Sequence, residues 1–183
     1  MKELLLTLLF FYLSINSCQS QVANKDFGQY FATGEYGIQV PFNGQPHQTP
    51  KQENLDLIMV SYQYAYPRLM DDLNFLYGID INQLKNKSLF KETNSKVDFI
   101  VNQNKVAFET KFKGTILKEE KGSFRDKYCV RQKVKLNIPN VGETIVTSLF
   151  FQYNDLVIRL YTFSEIKNDN IRIKDYFDSI KLK

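Results

Sequence analysis

Tryptophan is absent from this 183-residue chain, histidine occurs once and cysteine twice. Each scarcity removes chemistry. With His47 as the sole imidazole, a nucleophile has one choice of histidine base and a metal site has one histidine to draw on. No G-x-S-x-G elbow is present, and the glycines of Gly114–Gly122 lack the spacing that cradles phosphates. No run of five basic residues occurs, and the net charge of +4 is spread along the chain, so nucleic-acid binding has no electrostatic footprint. The adjacent pairs Asp71-Asp72 and Glu119-Glu120 suit solvated turns better than a catalytic dyad. No metal, cofactor or catalytic residue is assigned.

Aromatic and branched residues are plentiful: 15 Phe and 11 Tyr in a chain that is 43% hydrophobic, which excludes disorder. The strongest segment is Thr144–Phe163. Two apolar runs flank Asn154-Asp155, a dipeptide suited to a tight turn, and Arg159 is the only charge outside that turn. This predicts a hairpin in the middle of a sheet, covered on both faces.

Around it the chain divides as follows. Thr33–Pro41 predicts a short strand through Tyr36, Ile38 and Val40, and Pro41–Pro50 a proline-rich loop carrying His47. Leu55–Tyr66 alternates, with Ile58, Val60, Tyr62, Tyr64 and Tyr66 on one face. Arg68–Gly78 has helical spacing in Leu69, Leu73, Leu76 and Tyr77. Ile79–Asn104 is expected to hold a helix whose best part is Thr93–Gln103, with Thr93, Val97, Ile100, Val101 and Asn104 on one face. Lys105–Leu117 alternates as a strand through Val106, Phe108, Thr110 and Phe112, a turn follows at Glu119–Gly122, and Phe124–Ile138 is another strand. Ile171–Lys183 closes the chain as an amphipathic helix with Ile173, Tyr176, Phe177 and Ile180 inward.

The first 17 residues have the layout of an export signal: Lys2, then an apolar core Leu4–Ile15, which at about 12 residues is too short to span a bilayer. It runs into Ile15-Asn16-Ser17-Cys18, which resembles a bacterial lipobox and implies lipidation of Cys18. Ordinary cleavage nearby, after Ser20, is the alternative and would release a soluble periplasmic or secreted protein. Residues 18–30 then serve as a tether and 31–183 as one domain. Cys129, left without a partner, is expected to be a buried thiol within a strand.

The order of parts resembles the PsbP-like (DcrB-like) fold of small exported proteins and lipoproteins. The resemblance rests on Gly34-Glu35-Tyr36-Gly37-Ile38-Gln39-Val40-Pro41-Phe42, on Val60-Ser61-Tyr62 with Tyr66-Pro67 beyond, on Leu160-Tyr161-Thr162-Phe163, and on Tyr176-Phe177-Asp178-Ser179-Ile180. It implies an α+β domain: an antiparallel sheet flanked by helices on both sides. It implies no activity, because members serve as accessory or binding subunits.

Two functions are compatible with these residues. One is a non-catalytic binding or accessory lipoprotein of the bacterial envelope, facing the periplasm and meeting an envelope protein or a small ligand. The other is an exported enzyme with an unconventional site near the His47 loop. Tyr62, Tyr64 and Tyr66 are the candidate ligand-binding residues, since phenols on one strand face offer area with a polar tip. The same ladder suits packing under a helix.

Overall fold

A computed structural model describes residues 29–42, 44–65, 74–86, 90, 92–139, 141–165 and 171–183. Two sheets organise it. A three-stranded sheet joins β1 (Gln29–Ala32), β2 (Ile38–Phe42) and β11 (Lys181–Leu182). The larger sheet contains β3 (His47–Gln48), β4 (Gln52–Glu53), β5 (Leu57–Ala65), β6 (Asn74–Leu84), β7 (Thr115–Phe124), β8 (Lys127–Ile138), β9 (Gly142–Tyr153) and β10 (Leu156–Glu165). Its order is β3-β5-β6-β10-β9-β8-β7, with β4 also on β5, and its pairs are antiparallel. Among the described residues the α-helices are α1 (Thr93–Lys111) and α2 (Ile171–Ser179).

The expected hairpin stands at the centre. β9 and β10 pair through a two-residue connection in which Asn154 takes a left-handed φ of 53°. Its alternate residues enter different cores, which is why the run lacks polar alternation. Leu149, Phe151, Ile158 and Leu160 face the small sheet and α2; Val146, Phe150, Val157 and Tyr161 face α1. Each side chain so buried contributes about 1.5–3 kcal/mol. Cys129 is a free, buried thiol packed on the face opposite Tyr128 and Val130.

Helical layers on both faces were expected, and this part is corrected. α1 covers one face. The other is covered mainly by the three-stranded sheet, with the nine-residue α2 beside it. From α2, Tyr176 donates a hydrogen bond to the Gly78 carbonyl and packs edge-on against Tyr77, while Phe177 is buried.

Several local assignments change. Gly34–Tyr36, expected within the first strand, is a single 3-10 turn; His47–Gln48, expected in the proline-rich loop, forms β3; and Lys181–Leu182, expected in the closing helix, forms β11 after α2 stops at Ser179. Asn74–Gly78, expected to end a helix, opens β6, which runs on through Ile79–Leu84; residues 68–73 lie outside the described ones. Lys105–Lys111, expected as strand, completes α1, because Phe108 extends the stripe of Val97, Ile100, Val101 and Asn104 by one more turn while Val106 stands in solvent. The helix stops where Lys113 turns left-handed and the Gly114 N–H bonds back to the Phe108 carbonyl. Glu119–Gly122 is no turn. It lies inside β7, an edge strand whose alternating charges discourage further pairing, and the chain reverses at Arg125-Asp126, both left-handed.

Candidate functional site: a cavity between helix and sheet

The register of the sheet sets Ser61, Asp80, Arg159, Phe150 and Val130 in one transverse row across β5, β6, β10, β9 and β8. The residues at either end of this row pack or hydrogen-bond readily. The middle pair would be costly to bury alone, and each ion stands beside the other. Arg159 Nη1 donates to Asp80 Oδ2 at 3.1 Å, with side-chain exposures of 12% and 7%. The Ser61 hydroxyl donates to Asp80 Oδ1 at 2.6 Å, and Arg159 Nε donates to Ser148 Oγ at 3.1 Å. Tyr161 also hydrogen-bonds Asp80, and Gln63 hydrogen-bonds Tyr161.

Aromatic rings hold the guanidinium. Its carbon lies 4.5 Å from the Tyr161 ring centroid, 5.4 Å from Phe108 of α1 and 5.7 Å from Phe150. The Tyr161 ring can occupy this place because its cross-strand partner is Gly78: a Cβ there would come within 2.3 Å of the ring. Burial pushes the Asp80 carboxyl above its ordinary range, against the opposing pull of Arg159 and the hydrogen bonds from Ser61 and Tyr161. Burial, reinforced by Asp80, likewise raises the Tyr161 phenol well above its usual value.

This network borders a cavity of about 310 Å³ between α1 and the sheet. Apolar walls come from Met59, Ile100, Ala107, Phe108, Phe112, Leu136 and Phe163. Gln52, Gln103 and Lys111 line it while exposed to solvent, so they mark its opening. Gln63, Asn82 and Asn104 supply amides, of which Asn82 Nδ2 already donates to the Val157 carbonyl and Asn104 Nδ2 to Gln132 Oε1. The volume sits at the lower end of the roughly 300–1,000 Å³ typical of small-molecule sites.

Those residues singled out from sequence that the structure describes lie elsewhere. Tyr62 and Tyr64 occupy the opposite face of β5. Tyr62 is buried beside Phe31, and Tyr64 is half-buried, stacked on Phe42 and laid against Gly44. His47 pairs with Gln63 across β3 and β5 but is exposed and lines no part of the cavity. Glu119 accepts from Gln132 and Glu120 pairs with Lys118, both on exposed β7. Tyr66, Asp71, Asp72 and Cys18 fall outside the described residues, as does the export segment. Among the described residues no three His, Cys, Asp or Glu side chains come together as a metal site, and no helix is long and apolar enough to cross a membrane.

The residues of the cavity were not singled out from sequence. Two signals for them existed: Arg159 is a lone charge in an apolar run, and Asp80 sits between Ile79 and Ile81. Each marks a charge on a strand face that should be buried, and such a charge needs a partner.

No protein-family model and no curated protein matches the chain. Among solved structures it is similar to PA94 from Pseudomonas aeruginosa, a protein of unknown function, with a TM-score of 0.46, 9% identity, and coverage of 82% of this chain and 92% of that one. It is also similar to the solution structure of cyanobacterial PsbP (CyanoP) from Synechocystis sp. PCC 6803, with a TM-score of 0.54, 10% identity, and coverage of 91% and 98%. At that identity the likeness concerns the course of the backbone and not the site. The chain has a PsbP-like fold.

Proposed function

We propose that this protein is an envelope-anchored, non-catalytic binding module that takes a small ligand in the cavity between α1 and the sheet. One observation carries the proposal: apolar walls and a few fixed polar groups converge on a space of about 310 Å³ beside the Asp80–Arg159 pair. The pair is braced by Ser61, Ser148 and Tyr161, so the polar end of the cavity is preorganised before a ligand arrives. Anchoring rests on separate grounds, the lipobox-like run ending at Cys18, and would hold the domain beside a membrane in an aqueous compartment.

Ligand-observed NMR with neutral fragments of about ten non-hydrogen atoms tests the cavity. Fragments should compete for one site, and Ala107→Phe, which adds a ring to the cavity wall, should abolish their binding while the melting transition persists. Fragment binding that is untouched by Ala107→Phe, or no competition for a common site, contradicts the proposal.

A further inference from the structure

We infer that the cavity selects compact apolar molecules carrying a single carboxylate, with Arg159 and Lys111 as the groups that receive it. This deepens the proposed binding function and rests on it. Among the described residues the charges lining the cavity are Asp80, Arg159 and Lys111, one acid against two bases, so that lining is net cationic. The two sides of the ion pair are unequally satisfied. Asp80 accepts from Ser61, Arg159 and Tyr161, which occupies both of its oxygens. Arg159 spends Nε on Ser148 and Nη1 on Asp80, and among the described residues Nη2 has no hydrogen-bond partner. Arg159, with five N–H donors, therefore keeps more unused donor capacity beside the cavity than Asp80 keeps unused acceptor capacity.

A guanidinium whose orientation is already fixed presents those donors to a carboxylate at little further entropic cost. Phe108, Phe150 and Tyr161 pack around it and keep it from swinging away. Lys111, the other base, is exposed at the opening, where it attracts an anion and partly offsets repulsion from Asp80. A dianion would bring two negative charges to a described lining whose net charge, with Asp80 set against Arg159 and Lys111, is a single positive one, and would have to desolvate the second charge beside Met59, Phe112, Leu136 and Phe163. A cation would meet the like charges of Arg159 and Lys111. One negative charge on an apolar body remains.

Isothermal titration of the purified protein decides the matter, with monocarboxylates of about six to twelve carbons, straight-chain and phenyl-substituted, each set against its matching primary alcohol. At least one acid should bind one to one, on the order of tenfold more tightly than its alcohol. That binding should vanish in Ala107→Phe and, as a second block from the opposite wall should the first variant fail to fold, in Met59→Trp. Acid and alcohol binding equally well overturns the carboxylate assignment and leaves the cavity as a neutral-ligand site. No acid in the series binding also overturns it, whatever the neutral fragments do. Acid binding unchanged in both blocking variants overturns the assignment and the proposed binding function together.

Discussion

Asp80 and Arg159 are 79 residues apart in sequence and direct partners in the sheet, joined at 3.1 Å on a largely apolar face. Removing one member leaves the other ion buried. Arg159→Met should therefore cost on the order of 3–5 kcal/mol at neutral pH, and the double change Asp80→Leu with Arg159→Met should cost less than the two single changes added together. The pH dependence has a definite sign. Burial already raises the Asp80 carboxyl, and without Arg159 it rises further. The penalty in Arg159→Met is thus present above that raised value and shrinks as the pH falls towards the ordinary aspartate range, about 3.9. Denaturant titrations of the four proteins at several pH values measure all of this.

Gly78 has the Tyr161 ring on one side and accepts the Tyr176 hydroxyl through its carbonyl. A methyl group at 2.3 Å from the ring forces Tyr161 out of place, and with it the face on which Arg159 rests. Gly78→Ala should lower stability by about 1–3 kcal/mol and weaken ligand binding in the cavity, although residue 78 does not line it. Thermal melts paired with titrations check both effects.

Tyr161 predicts behaviour at the alkaline end. Its phenol is raised in the folded protein, so above about pH 10 the unfolded chain releases a proton that the folded chain retains. The stability associated with this group is complete below the ordinary phenol pKa and declines as the pH rises beyond it. Tyr161→Phe should be less stable at pH 8 through loss of the contacts to Asp80 and Gln63, yet its stability should fall less steeply between pH 10 and 11, by up to one proton in the slope.

Anchoring has its own test. One acyl chain holds a protein to a bilayer only marginally, so durable attachment requires more than one chain or signal. Cys18→Ser should shift the protein from the detergent phase to the aqueous phase on fractionation, or leave the precursor uncleaved, without altering the melting of the domain. A wild-type protein that is already aqueous and begins near Gln21 contradicts lipidation.

The central hairpin was legible because composition and pattern agree there: Thr144–Phe163 is β-branched and aromatic with one turn dipeptide. The ambiguous elements were those in which two periods coincide. Val106, Phe108, Thr110 and Phe112 alternate as in a strand, but Phe108 is also the next step of the helical stripe from Val97, and packing on the sheet favours the stripe. Leu73, Leu76 and Tyr77 have helical spacing, and Gly78 looks like a stop. Only the ring of Tyr161, far along the chain, explains why a glycine belongs inside a strand at that point. The cavity was illegible for the same reason. Its polar end is made of residues on β5, β6, β9 and β10 that no local pattern connects.

Met59 provides the most direct measurement of the central claim, because its side chain lines the cavity and the chain has only three methionines. With 13C-methyl-labelled methionine, the Met59 signal, assigned through Met59→Leu, should move saturably as a bound monocarboxylate or neutral fragment is titrated, and should stay still in Ala107→Phe. A ligand that binds by calorimetry while the Met59 methyl does not move would place binding elsewhere and contradict the account.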